Sequence, residues 1–139
     1  MRIYKVEEKL VQDGIAVTSA RDIRILSDVK DDGIHTYGLS PAEIMGNALG
    51  SCLLINAQRI SKKMRINFSH LSAELQIYWQ KDPPKVSKIE YVLYIKTEAS
   101  DDQLEKFFHY TLKYSTAYNT LKDSVELIGN IKRINEGIL

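Results

Sequence analysis

Alternating polar and apolar residues open the chain and predict paired strands. The alternation covers residues 2–12, and the Asp-Gly pair at positions 13 and 14 favours a hairpin turn into residues 15–18. A weaker alternation over residues 23–29 predicts a third strand, which ends before a turn at residues 31–33. The chain is therefore expected to begin with antiparallel β-structure.

A long helix is predicted from Ser40 to about Lys63. Ser40 can cap it, Pro41 suits the first helical position, and Glu43 completes the reciprocal S-x-x-E capping pattern. Basic residues near its end complement the negative end of the helix dipole. Because the helix is apolar around most of its circumference, we expect it to be the buried, central helix of the fold.

The remaining elements combine strands with a second helix. Every second residue from 71 to 79 and from 89 to 95 is apolar, which predicts a hairpin across the proline-containing turn at residues 80–85. Ser100 and Gln103 form another capping box and open a helix whose apolar stripe runs from Leu104 to Ser115. A short strand is expected at residues 125–128. These elements predict an α+β fold in one domain over residues 1–139.

Charge and hydropathy exclude several kinds of partner. The formal net charge is +1 and the basic residues are scattered, so the positive surface of a nucleic-acid binder is not expected. No apolar stretch reaches membrane-spanning length, and the N-terminus lacks the charged start and apolar core of a signal peptide. We therefore expect a cytoplasmic protein with no nucleic-acid or membrane partner.

Cys52 is the only cysteine of the chain. A single thiol cannot form an intramolecular disulfide or a cysteine-based metal site, so its chemistry would need an external partner. One interpretation makes Cys52 a small residue of the apolar core. The other makes it a reactive thiolate, which requires a nearby cation or hydrogen-bond donor. Since Cys52 lies about three turns inside its helix, the helix N-terminus cannot serve and a cation must come from elsewhere.

Two glycines of the same helix need a compensating interaction. Gly46 and Gly50 lie four residues apart, and each costs a helix about 1 kcal/mol relative to alanine. We expect the cost to be offset by close approach of another backbone, from a second helix or from a symmetry mate. This interpretation favours a homodimer with the helix near its interface.

Other kinds of chemistry find little support in the sequence. His35, His70 and His109 are dispersed, and no metal-binding motif accompanies them. No glycine-rich nucleotide loop and no G-x-S-x-G elbow occurs. We therefore expect neither a metal nor a cofactor.

Two segments resemble the signatures of the OsmC/Ohr family. The segment GLSPAEIMGNALGSCLLINAQRI, residues 38–60, is similar to the first signature, in which a proline-acidic helix start leads through small and apolar residues to a cysteine. The segment KYSTAYNTL, residues 113–121, is similar to the second signature, where a cysteine-proline-valine run precedes an asparagine-threonine-leucine-like turn. With the spacing and strand order, the resemblance covers residues 2–128.

This resemblance implies both an architecture and a chemistry. The architecture is an intertwined homodimer, in which bent antiparallel sheets surround the central helices that carry the cysteine. The chemistry is that of a thiol peroxidase, whose first cysteine attacks an organic hydroperoxide and becomes a sulfenic acid. The cysteine of the second signature then captures that sulfenic acid before it over-oxidises. Cys52 matches the attacking position.

The chain departs from the family pattern at several functional positions. Ser115 occupies the place of the second cysteine, so the internal disulfide cannot form. Ala42 stands where the peroxidases have the glutamate that helps to hold a catalytic arginine, and Glu43 is explained by helix capping. The resemblance places that arginine in the N-terminal strands, where Arg21 and Arg24 are both candidates.

Ser115 itself allows two interpretations. It is either an ordinary helix-terminal serine, solvated or bonded to the preceding turn, or it lies across from Cys52 and hydrogen-bonds the sulfur without resolving it. Neither interpretation makes Ser115 a catalytic residue.

Alternative functions remain open from sequence alone. In the first hypothesis Cys52 reduces an organic hydroperoxide and is regenerated by an external thiol. In the second, a non-catalytic homodimer of the same fold binds a hydrophobic small molecule. Thiol transfer through mixed disulfides is a third alternative.

Overall fold

The computed structural model describes residues 1–29 and 37–135. They belong to two units, Met1–Met45 and Gly46–Leu139, each of which is described by itself. The turn expected at residues 31–33 lies outside the described residues, as does His35. The single domain expected over residues 1–139 stays a prediction.

The first unit contains a three-stranded antiparallel sheet. Its strands are β1 (Glu7–Gln12), β2 (Ile15–Ala20) and β3 (Ile23–Asp28), in the order β1-β2-β3. Gly14 takes the positive φ of 74° that the hairpin turn requires. The predicted antiparallel opening is confirmed, although β1 begins at Glu7 and not at residue 2.

The central helix α1 (Pro41–Met64) begins as its capping residues predict. The Ser40 N–H donates to Glu43 Oε1 at 2.9 Å, and the Glu43 N–H donates to Ser40 Oγ at 3.2 Å. Burial is confined to one face, while Ile55 on another face is 54% exposed. The helix therefore has more apolar surface than the rest of the chain covers. The buried residues of α1 are Gly46, Leu49, Gly50, Leu53, Asn56, Ala57, Ile60 and Ser61.

The second unit holds a mixed three-stranded sheet. Strands β4 (Phe68–Gln80) and β5 (Lys85–Thr97) form the predicted antiparallel hairpin. Strand β6 (Glu126–Arg133) extends beyond the predicted residues 125–128 and pairs with β5 in parallel. Parallel neighbours need a crossover connection, usually helical. The following two helices supply that connection.

Helices α2 (Asp101–Lys113) and α3 (Thr116–Leu121) link β5 to β6. The Ser100 side chain caps α2 reciprocally with Gln103, which confirms the second predicted capping box. The sequence did not predict α3. The apolar stripe predicted for a single helix ends at Ser115, which is the N-cap of α3. Together the elements form a mixed α+β fold, as predicted.

The hydrophobic core of the second unit joins α1, β5 and α2. Alternate residues of β5 from Ile89 to Ile95 are buried, because they face the helices, while their neighbours are partly exposed. One cluster of buried side chains contains Ala57 and Ile60 of α1, Ile66, Ile95 of β5, and Leu104 and Phe107 of α2.

Side chains of β4 lie against the two glycines of α1. A Cβ added at Gly46 would lie 2.6 Å from Ile77 Cδ1, and one added at Gly50 would lie 2.9 Å from Leu75 Cδ1. The close approach predicted for another backbone is therefore made by side chains within this chain. The glycines accommodate the sheet beneath the helix.

Gly129 of β6 leaves room for the ring of Tyr91 on the neighbouring strand. These residues are partners in the parallel ladder, and Tyr91 is 2% exposed. Burial, together with a smaller contribution from the neighbouring Tyr118, raises the pKa of Tyr91 to about 12. The ring thus fills the space where a β6 side chain would stand.

Gly129→Ala should destabilise the protein by about 1–3 kcal/mol, because the new Cβ would meet a buried aromatic ring. The nearest atom, Tyr91 Cε2, would lie only 2.2 Å away. Urea denaturation measures the loss of unfolding free energy.

Gly50→Ala is the matched control for that substitution. Its Cβ meets only the flexible end of Leu75, and the helix gains about 1 kcal/mol of propensity. It should therefore stay within about 1 kcal/mol of the native protein. Equal losses in both variants would contradict the ring-contact explanation.

Because of Tyr91, the free energy of unfolding should fall as pH rises from 10.0 toward about 12. The first value is the ordinary pKa of tyrosine, and the second is the pKa of Tyr91 in the folded protein. The unfolded chain releases this proton first, so the folded state loses up to about 3 kcal/mol relative to it across that window. Below the ordinary value the contribution is fully present. Urea titrations of the native protein and of Tyr91→Phe measure the difference, and Tyr4→Phe is the exposed control. A difference between the native protein and Tyr91→Phe that did not change with pH would refute the assignment.

Candidate active site

Cys52 lies on α1 and is half-buried. The hydroxyl of Ser115 donates a hydrogen bond to Cys52 Sγ at 3.3 Å. This contact joins the two residues of the separate sequence signatures, which lie 63 positions apart. A hydroxyl donor at this distance can stabilise negative charge on the sulfur.

Ser115 is held in place by its role in the backbone. It is fully buried and is the N-cap of α3, where its Oγ accepts from the Tyr118 N–H at 3.2 Å. Its own N–H donates to the Leu112 carbonyl at 3.1 Å. The side chain is therefore neither solvated nor bonded to the preceding turn, because only the backbone N–H reaches Leu112. The cap fixes the hydroxyl whose proton faces the sulfur.

A second polar contact lies one turn further along α1. Asn56 Nδ2 donates to the Thr111 carbonyl at 2.7 Å, and both residues are buried. Thr111 Oγ1 donates to the Phe107 carbonyl at 2.8 Å. Sequence reasoning did not single out Asn56 or Thr111. The available signal was that Asn56 follows Cys52 by four residues, which places both on one helix face.

The two candidate arginines lie in the first unit. Arg21 is in the turn between β2 and β3 with a φ of 57°, and Arg24 is on β3. Both are exposed and line an open cavity of about 470 Å³ together with the N-terminal segment. Arg24 Nη1 donates to the neighbouring Ile23 carbonyl at 3.4 Å. The role of either arginine at the thiol stays a prediction.

Metal binding and membrane insertion are two further questions about the kind of site. Within residues 1–29 and 37–135, no three His, Cys, Asp or Glu side chains gather as a metal ion would require. Across the same residues, no helix is both long and apolar enough to cross a membrane. His70 Nε2 is engaged locally with Ser72 Oγ at 2.8 Å.

The described residues thus form an α+β protein with a hydrogen-bonded thiol on its long helix α1. The family model for OsmC-like protein matches residues 31–128. The chain therefore belongs to the OsmC-like protein family. No curated protein matches it by sequence.

Solved structures show the same fold at low sequence identity. The OsmC-like protein of Mycoplasma pneumoniae matches with a TM-score of 0.89 and 17% identity, covering 96% of this chain and 99% of its own. An organic hydroperoxide resistance protein OsmC of Legionella pneumophila, described as a predicted redox protein, gives 0.72 and 11%, covering 95% and 98%. The organic hydroperoxide resistance protein OhrB of Bacillus subtilis gives 0.63 and 10%, covering 94% and 98%.

Ser115→Ala should lower the free energy of unfolding by about 1–2 kcal/mol, because it removes the cap of α3 and the hydrogen bond to Cys52. Urea denaturation provides the measurement. Ser51→Ala makes the same chemical change on an exposed position of α1 and should stay within about 0.5 kcal/mol of the native protein. Similar losses in the two variants would argue against a structural role for the buried hydroxyl.

Proposed function

We propose that the protein reduces organic hydroperoxides through Cys52, which an external thiol then regenerates. The observation that carries the proposal is the hydrogen bond from Ser115 to the sulfur of a half-buried cysteine, at 3.3 Å. A sealed, apolar environment would be typical of a structural cysteine. Family membership and the hydroperoxide-resistance neighbours add support.

The proposed oxidation step uses the thiolate of Cys52. Its sulfur attacks the terminal oxygen of the hydroperoxide, and the O–O bond breaks. The leaving alkoxide takes a proton and departs as the alcohol, which leaves Cys52 as a sulfenic acid. The sulfur has lost two electrons and the peroxide has gained them.

Regeneration needs two molecules of external thiol. The first attacks the sulfenic sulfur, releases water and forms a mixed disulfide with Cys52. The second attacks the external sulfur of that disulfide, so that Cys52 returns as a thiol and a small disulfide leaves. Ser115 cannot replace the first thiol because a hydroxyl forms no disulfide. It remains a positioning residue that donates to the sulfur.

The cation that the thiolate needs is proposed to be Arg21 or Arg24. Both guanidinium groups are exposed, and among the described residues neither forms an ion pair that would already neutralise it. A cation close to a cysteine favours its ionised form. Either side chain could therefore serve from its own chain or from a second copy.

A homodimer is part of the proposal. Two large apolar side chains of α1, Met45 and Ile55, are exposed in the single chain. A second copy would remove this surface from water, which is the main driving force of association. The expected compartment is the reducing cytoplasm, where a lone thiol and its external reductant stay available.

Treating the purified protein with cumene hydroperoxide should consume the Cys52 thiol at least about tenfold faster than a free model thiol, because the hydroxyl of Ser115 donates to the attacking sulfur. Mass spectrometry with a sulfenic-acid trap should find one modification, at Cys52. With excess dithiothreitol present, the hydroperoxide should be consumed catalytically. Oxidation no faster than that of the model thiol would overturn the proposal.

Matched variants locate the effect at this position. The double variant Cys52→Ser/Ser51→Cys moves the single thiol to an exposed neighbouring residue of α1 and should react like the model thiol. Ser115→Cys should trap the oxidised sulfur as an internal disulfide. In the same assay, Arg21→Gln or Arg24→Gln should slow oxidation, whereas Lys9→Gln, on β1 of the same unit, should not.

The competing hypothesis predicts a different pattern. A non-catalytic dimer that binds a hydrophobic small molecule would keep its ligand and its stability in Cys52→Ser. Denaturing mass spectrometry of solvent extracts would then detect the same co-purified compound in both proteins. That result, together with an unreactive thiol, would favour the binding function.

A further inference from the structure

Two polar contacts with matching spacing join α1 to the end of α2. Asn56 Nδ2 donates to the Thr111 carbonyl at 2.7 Å, and Ser115 Oγ donates to Cys52 Sγ at 3.3 Å. Cys52 and Asn56 lie four residues apart, and so do Thr111 and Ser115. Four residues are about one helical turn. The two contacts therefore lie side by side, one turn apart on both segments.

The Thr111 carbonyl is bonded by a side chain because α2 ends beside it. In a continuing α-helix this carbonyl would accept from the N–H four residues later, which belongs to Ser115. That N–H donates instead to the Leu112 carbonyl at 3.1 Å. Ser115 also has an extended ψ of 119°, whereas a helical residue has a ψ of about −42°. Asn56 thus replaces the backbone donor that is lost where the chain leaves α2.

This helix end is what turns the hydroxyl of Ser115 toward the sulfur. With its extended backbone, Ser115 is the N-cap of α3, and its Oγ accepts from the Tyr118 N–H at 3.2 Å. If α2 continued through Ser115, the cap would be lost, and the position of the hydroxyl with it. The hydrogen bond on the sulfur therefore depends on where α2 ends.

Burial makes the amide of Asn56 hard to replace. Asn56 is 8% exposed and Thr111 is 0% exposed, so water is a poor substitute donor. The hydroxyl of Thr111 is already engaged, because it donates to the Phe107 carbonyl at 2.8 Å. A buried carbonyl that loses its donor is strongly unfavourable. A longer α2 would restore a donor, but it would use the N–H of Ser115 and undo the cap.

We propose that Asn56 is a positioning residue that controls the reactivity of Cys52 through Ser115. The proposal rests on the proposed function, in which the thiolate of Cys52 is the reacting species. Asn56 bonds to α2 and not to the sulfur, so it acts by fixing the residue at which α2 ends. A hydroxyl donor favours the ionised form of a thiol. Without Asn56 the donor should be displaced, and the sulfur should react more slowly near neutral pH.

Alkylation by iodoacetamide tests this role, because Cys52 is the only cysteine of the chain. Asn56→Leu keeps a side chain of similar size but removes the donor, and it should slow alkylation at about pH 7 at least about fivefold. At about pH 9.5, where a thiol is largely ionised without help, the rate should stay within about twofold of the native rate. Asn56→Ala also lacks the donor and should give the same pattern. A loss of packing would instead affect Asn56→Ala more than Asn56→Leu.

The Ser115→Ala background tests the route of the effect. Adding Asn56→Leu to Ser115→Ala should change the alkylation rate at about pH 7 by less than about twofold, because the hydroxyl is already absent. Asn130→Leu makes the same chemical change at an exposed position of β6 and should also leave the rate within about twofold. Thermal denaturation checks that each variant is folded.

Three results would overturn the positioning role. They are an unchanged rate at about pH 7 in Asn56→Leu, an equal loss at both pH values, and an equal effect of Asn56→Leu with and without the hydroxyl of Ser115. Hydroperoxide consumption is measured separately. A native protein that fails to reduce hydroperoxides but shows the expected alkylation pattern would overturn the proposed function alone. Hydroperoxide reduction with alkylation that does not depend on Asn56 would overturn the positioning role alone.

Discussion

The polar seam between α1 and the end of α2 is the interaction on which the candidate site depends. Asn56 donates to the Thr111 carbonyl at 2.7 Å, and one helical turn away Ser115 donates to Cys52 at 3.3 Å. Each buried hydrogen bond adds only about 1 kcal/mol net, but losing one partner would leave a desolvated polar group at a cost of about 1–3 kcal/mol. Apolar packing alone tolerates sliding of two helices. The seam therefore fixes their register, and with it the position of the sulfur.

The hydroxyl group of Ser115 has both a structural role and a chemical one. Its oxygen accepts from the Tyr118 N–H in the first turn of α3, and its proton is donated to the thiol of Cys52. The acceptor role alone explains why a hydroxyl is suited to the turn between α2 and α3. The donor role gives the sulfur of Cys52 a polar contact, which a cysteine buried only for packing would not need. A thiol at this position would cap less well but could form a disulfide, so stability and internal resolution favour different side chains.

The sequence predicted the elements whose signals are local, and it missed those that depend on distant contacts. The start of α1 was predictable because Ser40 and Glu43 bond to each other within one turn, and the β4–β5 hairpin because its alternation is regular. Helix α3 has only six residues, which is too short for periodicity, and its cap seemed to end the previous stripe. The parallel pairing of β6 and the bond between Asn56 and Thr111 join residues far apart in sequence. The family resemblance aligned Cys52 and Ser115 with the family's two cysteine positions, but it did not decide whether Arg21 or Arg24 corresponds to the catalytic arginine.

An organic hydroperoxide carries no net charge, so its approach to Cys52 depends on apolar contact and on the sulfur itself. Asn56 holds the register of α1 one turn from the thiol, and its side-chain amide is committed to the Thr111 carbonyl. The hydroxyl of Ser115 is likewise held by its role as the cap of α3. The polar contact on the sulfur is therefore already in place before a substrate arrives, and no movement of the helix is needed to form it.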